Sequence, residues 1–231
     1  TGEQMAFLNA EFLQTLYITF KLAFITTFLL FFVSVALAYA LVFVKFPLKS
    51  VVQVISSMPL VLPPSVLGFY FLVAFSPMSA IGKFFNENFG IRLVFTFEGL
   101  VVASMVFSLP FMLGPIQSAF ASVPKNLIEV SYTLGKSKLT TLLRVILPNS
   151  KVGIFTGAVV AFAHTVGEFG VVMMIGGHKK GETLVASIAI YDELEALNYT
   201  LAHQYAFVLF ALSFIILLAL FFVNKKFTSW G

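Results

Sequence analysis

The chain is organised as five long apolar runs separated by short polar segments. Each run reaches the roughly 20 residues that an α-helix needs to cross the ~30 Å hydrocarbon core of a bilayer. A further stretch, LVASIAIY at 184–191, is too short to cross, and acidic residues follow it at once. We therefore predict an all-α, polytopic membrane protein, one transmembrane domain over residues 1–231. Its spans lie at about residues 16–44, 51–75, 97–117, 152–176 and 203–223.

Three of these spans carry residues that affect helix geometry or helix packing. Prolines lack the backbone N–H that a continuous helix requires, so the second span should be kinked or broken near its middle. It contains Pro59, Pro63 and Pro64. The third span contains Pro110 and Pro115, and the fourth is interrupted by Glu168 and carries a G-x-x-x-G pair, Gly153 and Gly157. Such a pair lets another helix approach closely.

Composition supports the membrane assignment and excludes several kinds of functional site. The chain is 59% hydrophobic and only 10% charged, with a mean hydropathy of +1.00, whereas soluble domains are about one quarter charged. The absence of cysteine excludes disulfide scaffolds, thiolate metal sites and cysteine nucleophiles. Residues 1–13 hold no Lys or Arg, so the start lacks a secretory pattern and we expect the first span to be retained.

Charge asymmetry predicts the orientation. Segments 45–50, 118–151 and 224–231 hold nine basic residues against one acid, while 1–15, 76–96 and 177–202 together with Glu98 hold four basic residues against eight acids. The positive-inside rule then places the N-terminus outside and the C-terminus in the cytoplasm. The nine basic residues are Lys45, Lys49, Lys125, Lys136, Lys138, Arg144, Lys151, Lys225 and Lys226. This excess serves membrane orientation and lipid contact and requires no nucleic-acid partner.

The cytoplasmic segment 118–151 is predicted to form two short helices. Pro124 suits a first helical position, a stripe of Leu127, Val130 and Leu134 follows, and Gly135 stands where a helix ends. A second helix should begin after Ser137, bury one apolar face, and end at Pro148. Two interpretations are equally open: a surface that meets a soluble partner, or an interfacial segment whose basic residues contact lipid headgroups.

This segment also carries a family resemblance. Residues 129–148 read EVSYTLGKSKLTTLLRVILP and resemble the cytoplasmic "EAA" loop of ABC-importer permeases. Four other segments narrow the resemblance to the molybdate branch: MPLVLPPSVLGFY at 58–70, FTFEGLVVASMVFSLPFMLGPI at 95–116, GEFGVVMMIGG at 167–177 and KGETLVASIAIYD at 180–192. The sequence departs from the family pattern where Val130 and Ser131 replace two alanines, where Tyr132 replaces Arg, and where His164 replaces Arg.

The resemblance implies a type I ABC-importer permease fold in a bacterial or archaeal cytoplasmic membrane. It implies a homodimer that carries molybdate or a close oxyanion such as tungstate by alternating access. The implied partners are two ATP-binding cassette subunits, which hold ATP and Mg, and a periplasmic or lipid-anchored oxyanion-binding protein. No cofactor and no enzymatic activity are expected in this chain itself. The residues implied in coupling to the ATPase are Glu129, Val130, Ser131, Leu134, Gly135 and Pro148.

The alternative is an ion-coupled secondary transporter. Such proteins couple through intramembrane carboxylates and often contain inverted repeats. One intramembrane acid and no visible repeat argue against it.

The polar residues within the spans define the candidate sites. Glu168 lies one helical turn from His164, so the two side chains can share a hydrogen bond. We favour a structural role over gating, since a carboxylate ~5 Å from a divalent oxyanion would repel it by about 7 kcal/mol at an effective dielectric near 20. In that role Glu168 pairs with His164, caps backbone around Gly167 and Gly170, or packs at an interface. The histidines show no metal-ligand spacing.

The prolines of the second span leave two compatible interpretations open. They could form a kink that only shapes packing. They could also break a helix that lines the pathway, where exposed backbone and serine hydroxyls offer neutral hydrogen bonds to a passing dianion. The serines near the break are Ser56, Ser57 and Ser65.

Overall fold

A computed structural model describes residues 10–228, with side chains as far as residue 222. The described residues are all-α, with no strand among them. Residues 1–4, and the side chains of Lys225 and Lys226 that entered the charge count, lie outside this description. The helices are α1 Ala10–Phe43, α2 Lys49–Ser57, α3 Pro64–Phe75, α4 Ala80–Phe89, α5 Phe97–Ala121, α6 Lys125–Thr133, α7 Lys138–Thr141, α8 Leu147–Asn149, α9 Lys151–Val166, α10 Gly170–Gly176, α11 Ala186–Glu195 and α12 Tyr199–Thr228.

The spans divide into straight and broken ones. Within the described residues, α1, α5 and the part Tyr199–Phe222 of α12 are each long and apolar enough to cross a membrane. The count reaches five only if each of two bent helix pairs forms one span. One pair is Lys49–Leu60 with Pro64–Phe75, bent by 114°, and the other is Lys138–Asn149 with Lys151–Val166, bent by 76°. The break predicted at the prolines of the second span is confirmed.

The predicted fourth span is divided in two. Its helix α9 ends at Val166, residues 167–169 are non-helical, and α10 then continues for only seven residues. The glycines at both sides of Glu168 permit this interruption because glycine adds little preference for helix. Glu168 therefore lies in a break between two helices.

Helix α5 is the centre of the bundle and contacts both α1 and α9. Small residues allow close approach: a Cβ on Gly157 would lie 2.8 Å from Met112 O, and a Cβ on Gly153 would overlap the Cβ of Ala119. The helix approach expected from the G-x-x-x-G pair is thus confirmed, and its partner is α5. Around this contact lie two apolar clusters, one near Leu22, Leu100 and Ile175 and the other near Leu41, Met112 and Phe120.

The described parts of the two groups of segments separated by the charge count lie at opposite ends of the bundle. At one end the ammonium of Lys180 lies 2.7 Å from the carboxylate of Glu11, which ties the 177–185 loop to the start of α1. At the other end the amides of Gln53 and Gln117 exchange hydrogen bonds of 3.2 and 3.1 Å, which join α2 to α5. Helix α6 and the segment that follows it lie at this second end, beside the end of α5.

Candidate docking surface and translocation segments

Helix α6 is a short helix with a well-defined end. It starts after Pro124 and runs to Thr133. Gly135 follows with φ of +71°, a left-handed conformation that glycine adopts without a Cβ penalty. The N–H of Gly135 donates to Tyr132 O at 2.9 Å and the N–H of Lys136 donates to Ser131 O at 3.1 Å. These two bonds form a Schellman motif, which satisfies the last carbonyl groups of the helix.

The helix that follows α6 begins as predicted and ends within one residue of the predicted position. The Ser137 hydroxyl accepts from the N–H of Thr140 at 3.2 Å, which confirms Ser137 as the N-cap. Helical structure then passes through a π-turn, Leu142–Ile146, and continues in α8 past Pro148 to Asn149. The helix thus ends one residue beyond the predicted end at Pro148, and α9 starts at Lys151 after a bend of 76°. Proline is tolerated here because it occupies the first turn of α8, where a missing N–H costs no helical hydrogen bond.

A buried hydrogen bond holds α6 against this second helix. The hydroxyls of Ser131 and Thr141 lie 2.8 Å apart, and both side chains are almost fully buried. Small hydroxyl side chains at these two positions permit the close approach. Ser131, one of the residues implied in coupling, therefore anchors α6 to its neighbour.

The apolar stripe predicted on α6 points outward, away from the bundle. Leu127, Val130 and Leu134 are 40%, 56% and 68% exposed. They line one side of a shallow groove of about 390 Å³, with Lys136 and Arg144 among its polar lining. Glu129 and Pro148 are also exposed. A short helix that presents leucine and valine in this way has the properties of a docking surface, since large apolar side chains are normally covered.

The break between α2 and α3 meets the break between α9 and α10. A Cβ on Gly170, the first residue of α10, would lie 2.8 Å from the Cβ of Pro64 and 3.4 Å from the N–H nitrogen of Ser65. A Cβ on Gly68 would lie 2.8 Å from the Cβ of Met174. Two glycines thus allow α3 and α10 to pack at backbone distance. Non-helical backbone at membrane depth is tolerated where it is buried in protein or lines a cavity.

The residues proposed for the pathway differ in their exposure and in whether their hydroxyls are already hydrogen-bonded. Pro59 and Ser56 are buried, whereas Pro63, Pro64 and Ser65 are exposed on the isolated chain. The hydroxyl of Ser56 donates to Val52 O at 2.8 Å, and that of Ser57 donates to Gln53 O at 3.0 Å. These two hydroxyls are thus engaged within their own helix. Of the three serines, Ser65 is the exposed one.

His164 and Glu168 do not form the predicted pair. The Nδ1 atom of His164 lies 3.0 Å from the hydroxyl of Ser108, and its ring stacks on Phe111 at 3.9 Å between centroids. Neither carboxyl oxygen of Glu168 has a hydrogen-bond partner, although the side chain is only 4% exposed. The expected hydrogen bond is wrong because the helix breaks between the two residues, at Gly167, so they no longer share a helical face.

Two features of the site were missed by sequence reasoning. Ser104 and Ser108 are fully buried on one face of α5, and Ser108 also contacts the hydroxyl of Thr165 at 2.9 Å. The spacing of four residues within an apolar span was the available signal, because it places both hydroxyls on one face. The Gln53 and Gln117 pair, by contrast, joins residues 64 positions apart and leaves no local signal. No group of three or more potential metal-ligating side chains occurs in the part of the chain that the structure describes.

Comparison with known proteins gives this arrangement a family. Residues 31–228 match the model of the "Binding-protein-dependent transport system inner membrane component" family. The chain belongs to this family. It is 41% identical over 215 residues to the molybdenum transport system permease protein ModB of Azotobacter vinelandii, covering 93% of this chain and 95% of that protein. It is also 31% identical over 213 residues to a probable sulfate transport system permease protein, cysT, of Chlorokybus atmophyticus, covering 92% of this chain and 74% of that protein.

The fold agrees with the family. The chain matches a bacterial alginate ABC transporter, crystallised in complex with an alginate pentasaccharide-bound periplasmic protein. The TM-score is 0.79 at 18% identity, covering 96% of this chain and 81% of the matched chain. This member of the family is therefore the multi-pass inner-membrane permease subunit of an ABC importer, and ATP hydrolysis belongs to a separate chain.

Proposed function

We propose that this permease carries molybdate, or a close oxyanion such as tungstate, as a homodimer with two ATP-binding subunits and an extracytoplasmic binding protein. The observation that carries the proposal is the 41% identity to a molybdenum permease along 93% of this chain and 95% of the relative. Identity to the sulfate permease is lower, at 31%, and covers 74% of that protein. Molybdate, tungstate and sulfate are all tetrahedral dianions, so the substrate choice requires a direct test.

The chemistry of the broken spans favours transfer of an anion over its retention. The exposed break of the second span offers proline-rich backbone and the Ser65 hydroxyl, and no ionised side chain lies between residues 50 and 82. Neutral donors bind a dianion more weakly than Lys or Arg would, because charge-assisted hydrogen bonds are roughly twice as strong as neutral ones. A conduit of this kind lets the cargo pass once a binding protein has delivered it.

The exposed apolar face of α2 and α3 supports the proposed packing against a second copy of this chain. Along this face, the isolated chain leaves large apolar side chains uncovered next to the break. A second copy packed here would cover them and would bring two broken spans to opposite sides of one pathway. The residues concerned are Val54, Ile55, Leu60, Val61, Phe69 and Tyr70.

The outward apolar stripe of α6 supports the proposed docking of an ATP-binding subunit. Leu127, Val130 and Leu134 present an apolar surface held rigidly by the Schellman end and the Ser131–Thr141 hydrogen bond. Nucleotide-driven motion must pass through a stiff element to reach the spans. A short helix closed at Gly135 provides that stiffness, with Glu129 beside the stripe as a polar contact.

The substrate is tested by uptake of radiolabelled molybdate in cells that lack their own molybdate permease and express this chain with its partner subunits. We expect uptake to be displaced by equimolar tungstate and to persist with a large excess of sulfate. Equal displacement by sulfate and tungstate, or sulfate uptake without molybdate uptake, would contradict the proposed substrate. A permease with the Gly135→Val substitution serves as the uncoupled control.

A further inference from the structure

Glu168 poses a physical problem that the coupling and pathway roles leave unexplained. Both of its carboxyl oxygens are buried without a hydrogen-bond partner, and the side chain is 4% exposed. A buried carboxylate without a partner is strongly unfavourable. The three ion pairs among the described residues all lie at the outer surface, and none of them includes Glu168.

Among the described residues, no charged side chain pairs with the carboxyl. Ser104 of α5 is the polar side chain that interacts with it, although the two groups form no hydrogen bond of normal geometry and the Ser104 hydroxyl is likewise buried without a partner. The Ser187 hydroxyl at the start of α11 donates to the backbone O of Glu168 at 2.7 Å and so does not serve the carboxyl. On α9, the hydroxyl of Thr165 and the ring of His164 are engaged with Ser108. Two unsatisfied polar groups, one carboxyl and one hydroxyl, thus face each other.

We propose that Glu168 is a positioning residue that carries its proton in this conformation, and that the neutral carboxyl pairs with Ser104. A protonated carboxyl supplies the O–H donor that a carboxylate lacks, and the serine oxygen is an acceptor. The pair joins α5 to the break between α9 and α10. It therefore fixes the position along α3 at which α10 packs, at the contact of Gly170 with Pro64.

The neutral form also agrees with transport of an anion. A charged carboxylate beside the broken spans would repel a passing dianion, whereas a carboxylic acid does not. Protonation therefore allows an acidic residue to be placed close to the cargo route. The positioning role itself depends on the local geometry and holds for any cargo of the permease.

Infrared spectroscopy of the purified importer complex in lipid nanodiscs tests the protonation directly. At neutral pH we expect the wild-type complex to show the carbonyl stretch of a protonated carboxylic acid, and the Glu168→Gln complex to lack it. Glu87→Gln, which changes an exposed acid on α4, is the matched control and should leave the band in place. If the wild-type spectrum contained no carboxylic-acid band that is lost in Glu168→Gln, the proposal would be overturned.

The assignment of Ser104 as the partner has its own test. Ser104→Ala removes only the hydroxyl, and we expect it to shift the carbonyl band because the hydrogen bond of the acid is lost. A band that stays at the same frequency in Ser104→Ala would contradict this pairing. This variant also keeps the test decisive if Glu168→Gln fails to fold.

Transport gives the second readout. Glu168→Gln should retain uptake within about twofold of the wild-type rate, because the amide is neutral and also donates a hydrogen bond. Glu168→Lys should lower uptake by more than about tenfold, because it places an unpaired charge in the same site. A Glu168→Gln permease that folds and assembles but has lost uptake would show that the ionised form is required, and would overturn the proposal.

Discussion

At the scale of single residues, the end of α6 depends on one backbone conformation. Gly135 has φ of +71°, and a Cβ at this position would meet nothing within 4 Å. The requirement for glycine therefore comes from the backbone and not from crowding. A left-handed conformation costs an ordinary L-residue about 1–2 kcal/mol, and asparagine less.

The first prediction follows from this conformation. Gly135→Val should disrupt the Schellman end and lower ATP-driven uptake strongly, while Gly135→Asn should be much milder. The measurement is uptake and ATPase activity of the reconstituted complex. Gly90→Val is the matched control, because Gly90 has φ of +66°, also ends a helix, and has an equally open surrounding, but ends the outer helix α4. Coupling lost equally in Gly90→Val and Gly135→Val would contradict a specific role for Gly135.

The second prediction concerns the hydrogen bond between Ser131 and Thr141. Ser131→Ala and Thr141→Val should each destabilise the α6 region, and the double variant should cost less than the sum. We expect a coupling free energy of about 0.5–1.5 kcal/mol, the usual net value of a protein hydrogen bond. Thermal unfolding of the four purified permeases measures it. Strictly additive effects would show that the two hydroxyls do not stabilise each other.

At the scale of elements, the molecule combines straight spans with broken ones. Helices α1 and α5 form a continuous frame, while the helical path is interrupted between α2 and α3 and again between α9 and α10. The breaks come together because Gly170 packs on Pro64 and Gly68 packs on Met174. At this contact the two broken spans can move against each other, or they can stay packed and move as one unit.

The third prediction tests this contact. Gly170→Ala should lower uptake while leaving the ATP-binding subunits attached, because its Cβ would lie 2.8 Å from a proline ring atom that cannot rotate away. Gly114→Ala on α5 is the control, since a Cβ there meets nothing within 4 Å. Co-purification and uptake are measured on the same preparations. Normal uptake by Gly170→Ala would show that close packing of α3 on α10 is not needed for transport.

The sequence predicted these elements unevenly, for physical reasons. The proline-rich break, the caps at Ser137 and Gly135, and the approach of Gly153 and Gly157 are local signals, and the structure confirms them. The end predicted at Pro148 falls one residue short of the observed end, because a π-turn and a new first turn accommodate the missing N–H of the proline. The pairing of His164 with Glu168 failed because it assumed a continuous helix through Gly167. Contacts such as Ser108 with His164 depend on how separate helices pack, which periodicity does not encode.

At the scale of the whole molecule, the two ends of the bundle have different tasks. The inner end carries the exposed stripe of α6 and its groove, suited to a rigid soluble partner. The outer end carries charged loops tied by ion pairs, such as Lys180 with Glu11 at 2.7 Å. The hydrogen bond and charge of Glu11 raise the pKa of Lys180 above its ordinary value, so the ammonium of this pair stays charged as the pH rises above neutral. In the proposed function, the broken spans between the two ends supply a neutral route across the membrane.

The most direct test of the central claim is molybdate accumulation by proteoliposomes that contain the permease, its ATP-binding subunits and the binding protein. We predict accumulation that requires ATP on the side of α6 and that is abolished by Gly135→Val. Uptake by the permease alone, driven by an ion gradient in the absence of ATP, would contradict the account and would identify an ion-coupled secondary transporter.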